Sequence, residues 1–300
     1  MSCTNPLLAV RLYKPSLGKQ VIKILPKRVL GLEWYQKRYG KDNLLMLPCG
    51  HCLSCFSKRS KEWAVRCALE SLDHEKNCFV TLTYDNSHYE DRNVKNDWKL
   101  FIKALRNKGF KVRYFGCCER GDELGRQHFH ILLFGLFPGD VKPFAKSQSG
   151  YMQFTSQLLS DCWDHRGLVV VSEFSPYCAQ YTAGYVVKKF ALGDKDSFHF
   201  QSTKPGIGAG YVLRNLETIY ENDKLILSFG SHKFSVPRYF DKLAESLDLD
   251  LSDVKAKRIE FASYKTISDM QSHGFENQDR LITFNEEVAR NKIRFQKRRF

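Results

Sequence analysis

Three shortages in the sequence narrow the class of protein. No run of about 18 apolar residues occurs, so we expect no membrane-spanning helix and no membrane partner. The N-terminal residues lack the apolar core of a signal peptide, because Arg11, Lys14 and Lys19 interrupt them. Acidic residues are in the minority, 33 against 47 lysines and arginines, which gives a net charge of +14. We therefore expect a cytosolic protein with an anionic partner, for which nucleic acid is the natural choice.

Cysteine, by contrast, is plentiful, with ten residues in a chain of 300. A cytosolic chain keeps its thiols reduced, so disulfides are not expected and the cysteines are predicted to be core residues or metal ligands. Five of them stand in apolar segments and are predicted to be small core residues: Cys78, Cys117, Cys118, Cys162 and Cys178.

Three further cysteines, Cys49, Cys52 and Cys55, have a spacing that is typical of half a zinc or iron–sulfur site. Their turn has no evident fourth ligand nearby. The residues that could supply one are Cys67, His51 and His74. Structural Zn²⁺ is one interpretation, and reduced thiols in a tight turn or a redox role are the alternatives. The sequence leaves all three open.

The segment from Arg126 to Phe134 is predicted to form a β-strand and carries two histidines. Successive side chains of a strand point to opposite faces, so His128 and His130 share one face while the apolar Phe129 lies on the other. Two imidazoles on one face can bind one cation. An isolated His-x-His pair in an apolar strand more often binds no metal, so the pair needs a third ligand.

Glu119 is the predicted third ligand. It follows a second strand-like segment, 112–118, and Gly121 and Gly125 then supply the turn of a hairpin that returns the chain to the histidines. Two histidines and one carboxylate leave open positions for substrate oxygens. This mixed donor set suits Mn²⁺ or Mg²⁺ on a phosphate, although the histidines would also accept Zn²⁺.

A predicted helix downstream carries a stripe of tyrosines. Ser175 is predicted to cap this helix and Pro176 to occupy its first position. Residues four apart lie on one stripe of a helix, so Tyr181 and Tyr185 can serve one reaction centre, with Lys188 further along the same stripe. An isolated tyrosine stripe is more often half-buried packing, but together with the histidines it favours chemistry.

The tyrosines predict a DNA-nicking reaction. A phenol is a poor nucleophile at neutral pH and needs an electrophilic phosphate or a nearby cation that favours phenolate. The metal and Lys188 are predicted to supply these. Attack on a DNA phosphodiester leaves a 5′-phosphotyrosine and a free 3′-hydroxyl, and a second attack reseals the strand. Because Tyr185 is nearer to Lys188 than Tyr181 is, we predict Tyr185 as the first nucleophile.

These motifs resemble a known family, the HUH-endonuclease replication initiators of microviruses, which are small single-stranded DNA phages, and within them the gokushovirus branch. The resemblance extends over roughly residues 45–245. The nuclease motifs are Phe79-Val80-Thr81-Leu82-Thr83-Tyr84, Gly125-Arg126-Gln127-His128-Phe129-His130 and Tyr181-Thr182-Ala183-Gly184-Tyr185-Val186-Val187-Lys188-Lys189. The other similar segments are Pro48-Cys49-Gly50-His51-Cys52-Leu53-Ser54-Cys55, Lys204-Pro205-Gly206-Ile207-Gly208 and Pro237-Arg238-Tyr239-Phe240.

The resemblance implies an enzyme that nicks the plus-strand origin of a phage and so starts rolling-circle replication. It implies His128 and His130 as metal ligands and Tyr181 and Tyr185 as paired nucleophiles. The third ligand varies in the family, so the choice of Glu119 depends on the predicted hairpin. The implied partners are single-stranded and supercoiled phage DNA at the origin and the host helicase and polymerase. The implied location is the host cell cytoplasm.

The order of predicted elements favours an α+β fold with a central antiparallel sheet flanked by helices, as in HUH endonucleases. The predicted helices are at 57–70, 98–105, 155–163 and 238–246, and the predicted strands at 78–84, 112–118, 126–134 and 168–171. We divide the chain into an N-terminal arm of extended chain or short strands (1–48), a Cys-rich turn and helix (49–75), the nuclease core (76–192) and a C-terminal extension (193–300). The basic tail of this extension either binds DNA or only keeps the chain soluble.

Two other functions fit the same residues. A non-catalytic binder of single-stranded DNA or RNA could use the histidines and tyrosines to stack bases. A metal-dependent nuclease could use water as the nucleophile, with Tyr181 and Tyr185 only holding the substrate. Covalent attachment of the protein to DNA distinguishes the predicted enzyme from both.

Overall fold

The computed structural model divides the chain into two compact units, Met1–Phe56 with Thr266–Phe300, and Ser57–Lys265. The structure describes the residues at 3–26, 32–89, 94–121, 125–147, 150–175, 178–179, 181–184, 197–220, 226–229 and 232–297. The division into arm, Cys-rich segment, core and extension stays a prediction. The two compact units are defined by contacts within the chain, so they do not test boundaries that were drawn from sequence motifs.

Strands and helices are mixed along the chain. The strands are β1 Leu7–Lys14, β2 Lys19–Ile24, β3 Leu44–Leu47, β4 Asn77–Leu82, β5 Arg113–Arg120, β6 Gln127–Phe134, β7 Lys142–Lys146, β8 Met152–Thr155, β9 Val169–Glu173, β10 Phe198–Gln201, β11 Ile226–Phe229 and β12 His232–Ser235. The helices are α1 Leu32–Tyr39, α2 Leu53–Ser71, α3 Asp97–Asn107, α4 Gln157–Cys162, α5 Ala209–Arg214, α6 Leu216–Tyr220, α7 Arg238–Glu245, α8 Ser252–Ser272 and α9 Gln278–Lys297. Among the described residues, no helix is long and apolar enough to cross a bilayer.

The unit that contains the N-terminus is built on a small antiparallel sheet in the order β2-β1-β3. Three consecutive residues of the central strand, Leu8, Ala9 and Val10, are buried, and Leu8 and Val10 pack with Leu25 and Tyr35. The N-terminal segment therefore consists of short strands, which is one of the two forms that its sequence predicts.

The larger unit is built on an antiparallel sheet with seven strands among the described residues, in the order β10-β5-β6-β4-β9-β8-β7. Its strands β5 and β6 form the predicted hairpin. The Gly121 amide donates to the Arg126 carbonyl oxygen at 2.8 Å, and Gly125 has a φ of +64°, which glycine adopts without steric strain. This hairpin brings the end of β5 beside the start of β6.

Each face of this sheet has its own hydrophobic core. On one face, Phe129, Ile131 and Leu133 of β6 pack with residues of α3 and α4. On the other face, Leu132 and Phe134 pack with α2 and with the tyrosine helix, by which we mean the helical residues at 178–179 and 181–184. The period-two pattern of β6 therefore places the even-numbered residues, which include both histidines, on the face of the tyrosine helix.

A third core in this unit lies beyond the sheet. Val65 and Leu69 of α2 pack there with Val212 of α5, Ile219 of α6 and Phe240 of α7. Helix α2 thus contributes one side to the sheet and another side to the helices that follow β10.

The predicted fold class is confirmed, because the chain is α+β with a central antiparallel sheet flanked by helices, an N-terminal cysteine cluster and C-terminal helices. The sequence pattern does not predict β7, β8 and β10. Strands β8 and β10 have only four residues each, too few for a visible alternation. Helix α2 also begins at Leu53, before the predicted start at 57, so Cys55 of the cysteine turn lies in its first turn.

Candidate metal centre and nucleophile

Three side chains of the β5–β6 hairpin form a candidate metal centre. Glu119 of β5 stands directly opposite His128 of β6, and His130 lies two residues further along the same face. One ligand atom from each of these three residues lies within 4.8 Å of the others. The structure therefore brings together the three metal ligands that the sequence predicts.

The carboxylate of Glu119 connects the two imidazoles. The Nε2 groups of His128 and His130 donate to the same oxygen, Oε1, at 2.8 and 2.9 Å. The second oxygen, Oε2, is buried and has no hydrogen-bond partner among the described residues. A buried carboxylate oxygen without a partner is unfavourable. A cation bound by the three side chains would compensate this oxygen, so the donor set fits a divalent metal.

The charge of Glu119 is set by its surroundings. Burial alone would raise the pKa of this carboxyl, but hydrogen bonds from His128 and His130 outweigh burial and lower its pKa to about 2. Glu119 is therefore ionised at neutral pH. An ionised carboxylate with two imidazoles is a ligand set for a divalent cation and leaves further coordination positions to other oxygens.

His130 is held in place by two residues of β4. The Oγ1 atom of Thr81 lies 3.1 Å from Nδ1 of His130, and the ring of Phe79 stacks on the imidazole at a centroid distance of 5.6 Å. A hydrogen bond to the second ring nitrogen fixes the orientation of a metal-binding histidine. Thr81 has no predicted role in the site. Thr81 alternates with the apolar Val80 and Leu82 in a predicted strand. This alternation places Thr81 on the opposite face of the strand from these two residues, and it could have indicated that Thr81 lies on the same face of the sheet as the histidines.

We predict that Thr81→Val weakens Mn²⁺ binding about 10- to 100-fold, the usual effect of losing such a supporting hydrogen bond. Valine keeps the shape of the side chain, so the core should change little. Isothermal titration with Mn²⁺ measures the effect. Thr83→Val is the matched control, because the Thr83 hydroxyl donates to the Leu168 carbonyl and not to a histidine. Equal affinities of the two variants would show that Thr81 does not support the metal site.

The tyrosine helix lies over the same face of the sheet. Ser175 caps it as predicted, since its Oγ accepts the Cys178 amide at 3.3 Å. Ala179 and Ala183 are buried against the sheet, which fixes this side of the helix as the packing side. The helix thereby holds Tyr181 close to β6.

Tyr181 lies beside the metal centre. Its ring contacts the His130 imidazole edge to face, with 5.5 Å between centroids, and contacts Phe79 at 6.1 Å. The structure thus brings one of the two predicted nucleophiles together with the predicted ligands. Tyr185 and Lys188, and also Pro176, lie outside the described residues, so their predicted roles stay predictions.

Basic and aromatic groups extend this face towards the sheet edge formed by β10. His199 of β10 pairs with Cys117 of β5, and its ring packs near Trp63 of α2. Burial and the nearby charge of Arg59 lower the pKa of His199, so its imidazole is neutral at physiological pH. Arg59 itself is exposed.

The second candidate metal site is a cluster of four cysteines in the N-terminal unit. Cys49, Cys52 and Cys55 lie together as predicted, and the fourth member is Cys3. The predicted fourth ligands were wrong. Cys67 is fully buried in the core with Phe115 and Leu132. Among the described residues, the candidate metal ligands at the cysteine turn are four thiols, and neither His51 nor His74 is one of them.

The pKa values of three of these thiols are shifted by their surroundings. Burial raises the pKa of the Cys3 thiol, and it raises the pKa of Cys55 to about 12 with the help of the neighbouring Cys52. Burial also acts on Cys52, but hydrogen bonds from Thr4 and Cys55 outweigh it and lower the pKa of Cys52 to about 6. One member of the cluster is therefore a thiolate at neutral pH.

Comparison with known proteins relates this fold and site to phage replication. The model of the replication-associated protein ORF2 family matches residues 77–190. The chain is 35% identical over 218 residues to replication-associated protein ORF2 of Spiroplasma virus 4, which covers 66% of this chain and 68% of that relative. It is 32% identical to replication-associated protein ORF4 of Chlamydia phage 1, with 67% of this chain and 54% of the relative covered. No solved structure gives a significant match.

A third relative is replication-associated protein VP4 of Bdellovibrio phage phiMH2K, 32% identical over 64% of this chain and 65% of the relative. The chain belongs to the replication-associated proteins of phages, and within them to the family of the microviruses and their gokushovirus branch. Membership supports a role in initiating phage DNA replication. The chain spans about two thirds of the length of two of these relatives and about half of the third.

Proposed function

We propose that this protein nicks single-stranded DNA at a phage origin by tyrosine transesterification and so starts rolling-circle replication. The observation that carries the proposal is the position of Tyr181, whose ring lies 5.5 Å from that of His130 on the face that also holds Glu119 and His128. A phenol beside a set of metal ligands is the arrangement that an activated tyrosine nucleophile requires. Membership in the replication-associated proteins supports phage DNA as the substrate.

Glu119, His128 and His130 would hold Mn²⁺ or Mg²⁺. A bound divalent ion supplies Lewis-acid polarisation of a non-bridging phosphate oxygen and makes the phosphorus more electrophilic. The protein side chains have the remaining tasks. Thr81 and Phe79 fix the orientation of His130, and the alanine side of the tyrosine helix keeps Tyr181 near the ligands.

In the proposed reaction, the phenol oxygen of one of the paired tyrosines, Tyr181 or Tyr185, attacks the phosphorus of a DNA phosphodiester. A bond forms between this oxygen and phosphorus, and the bond from phosphorus to the 3′ oxygen breaks. The phenol loses its proton, and the departing 3′ oxygen gains one and becomes a hydroxyl, so charge and protons balance. The product is a 5′-phosphotyrosine. Because the phosphodiester energy is conserved, a 3′-hydroxyl can later attack this linkage and rejoin the strand.

A second tyrosine would allow a second round of the same reaction. Tyr185 is the predicted partner of Tyr181, since the spacing of four residues places both on one helical stripe. The free 3′-hydroxyl would serve as primer for the host polymerase, and the displaced strand would require a host helicase. We propose the host cell cytoplasm as the place of this reaction.

The test is covalent capture with an oligonucleotide that carries the phage origin, in the presence of Mn²⁺. If a 5′-phosphotyrosine forms, DNA labelled at its 3′ end migrates with the protein in a denaturing gel, while DNA labelled at its 5′ end appears as a shorter free product. A nuclease that uses water gives short products from both labels and no adduct. A non-catalytic binding protein gives neither product.

We predict that Glu119→Ala raises the Mn²⁺ concentration needed for half-maximal cleavage by at least about tenfold, because the variant loses the anionic ligand and keeps the two neutral ones. A titration of cleavage against Mn²⁺ measures this shift. Glu173→Ala is the control, since this glutamate is exposed at the end of β9. An unchanged titration for Glu119→Ala would show that another residue is the third ligand.

A further inference from the structure

The cysteine cluster takes no part in the proposed DNA chemistry. The Sγ atom of Cys3 lies 3.5 Å from that of Cys49 and 3.7 Å from that of Cys52, and the four thiols, with Cys55, lie within 4.8 Å of one another. These distances are far longer than the S–S bond of a disulfide, which is about 2.05 Å. Four thiolates around one Zn²⁺, each about 2.3 Å from the ion, stand about 3.8 Å apart. The cluster therefore has the size of a single tetrahedral site.

Backbone amides point at the sulfur atoms. The Cys49 amide lies 3.3 Å from Sγ of Cys3, and the amides of His51 and Cys52 lie 3.4 and 3.3 Å from Sγ of Cys49. Amide donors stabilise sulfur in its thiolate form and fix its direction. Such donors are characteristic of sulfur that binds a metal, because neutral thiols are weak acceptors.

We propose that Cys3, Cys49, Cys52 and Cys55 bind one structural Zn²⁺ ion. Four protein ligands leave no open position, which distinguishes a structural site from a catalytic one. A tetrahedral set of four sulfurs also accepts iron. An iron–sulfur cluster places several irons between its thiolates, whereas this spacing matches one ion. The proposal does not depend on the proposed function.

The ion would connect the two ends of the N-terminal sheet segment. Cys3 precedes β1 and Cys49 follows β3, and these strands pair antiparallel, with Leu7 opposite Leu47. The ion therefore stands at the open end of this strand pair and closes a loop between residues 46 apart. The core of this sheet is small, with Leu8, Val10, Leu25 and Tyr35 as its buried members. Small cores commonly need such a covalent or metal connection.

The experiment uses the full chain with His128→Ala and His130→Ala, so that the other candidate site contributes no metal. We expect about one equivalent of zinc after purification without chelator, and less than about a tenth of an equivalent after Cys3→Ser. Replacement by Co²⁺ should give thiolate-to-metal charge-transfer absorption in the parent and a large loss of it in Cys3→Ser. His51→Ala and Cys178→Ser are the controls and should keep both the metal and the absorption.

Alkylation of the unsubstituted chain tests the proposal even if Cys3→Ser does not fold. We expect iodoacetamide to spare the four cysteines in the native protein and to modify them after chelation, as mapped by mass spectrometry of peptides. Zinc retained in Cys3→Ser would overturn the proposed ligand set. Equal modification with and without chelator, or one equivalent of iron in place of zinc, would overturn the zinc site.

Discussion

No covalent DNA adduct will form when Tyr181 and Tyr185 are both replaced by phenylalanine. This change removes only the two phenol oxygens, so the ring contacts of residue 181 with His130 and Phe79 are kept and the fold should be unchanged. The double variant lacks both phenols that are predicted to attack the phosphate. The measurement is the amount of 3′-labelled DNA bound to protein in a denaturing gel, which should fall to background.

The single variants and a control refine this result. Tyr181→Phe should still form the adduct in a single turnover but fail at repeated nicking and joining, if Tyr185 attacks first as the sequence predicts. Tyr151→Phe, which changes an exposed tyrosine before β8, should behave as the unsubstituted protein. Peptide mapping of the trapped adduct identifies the nucleophile. DNA on Tyr181 alone would reverse the predicted order, and an adduct in the double variant would exclude both tyrosines.

Replacing His128 and His130 together by alanine will reduce cleavage at least about 100-fold. A Lewis acid supplies several kcal/mol of transition-state stabilisation, and each 1.36 kcal/mol corresponds to about a factor of ten in rate. The fold should persist, because Glu119 can take up a proton once its two hydrogen-bond donors are absent. We expect a loss of about 1–3 kcal/mol in the free energy of unfolding, the usual effect of an unsatisfied buried polar group.

The measurements are the single-turnover rate of cleavage at saturating Mn²⁺ and the denaturant midpoint of unfolding. His165→Ala is the matched control, since this histidine is largely exposed and pairs with Asp161, outside the metal centre. It should leave both quantities unchanged. Full activity of the double histidine variant would contradict the assignment of the metal site, whereas a loss of cooperative unfolding would mean that the histidines act mainly through stability.

The proximity of the three candidate ligands could be predicted because their geometry is local. His128 and His130 share a face through the period of two in a strand, and Glu119 returns to them through a turn marked by two glycines. The apolar side of the tyrosine helix was predictable for the same reason, since Ala179 and Ala183 follow helical spacing. In each case, the sequence separation is less than a dozen residues and the local periodicity determines the outcome.

Features that depend on distant parts of the chain could not be predicted. Cys3 reaches the cysteine turn only because β1 and β3 pair, and no local pattern of the sequence contains that pairing. The Thr81 hydroxyl contacts His130, which lies 49 residues further along the chain in another strand. Strand β10 has only four residues and lies at the edge of the sheet, where it pairs with β5. Its sequence alone is too short to show the alternation that predicts a strand.

The metal ligands all come from one hairpin, whereas the tyrosines come from an element that follows far later in the chain. A hairpin closes a short loop at low entropic cost, so few distant contacts are needed to bring the candidate ligands together. Evolution can then change the tyrosine helix, including the number of its phenols, while the ion-binding half is inherited unaltered. The same modularity offers a practical route to redesign, in which a new nucleophile helix is grafted over an existing β5–β6 hairpin.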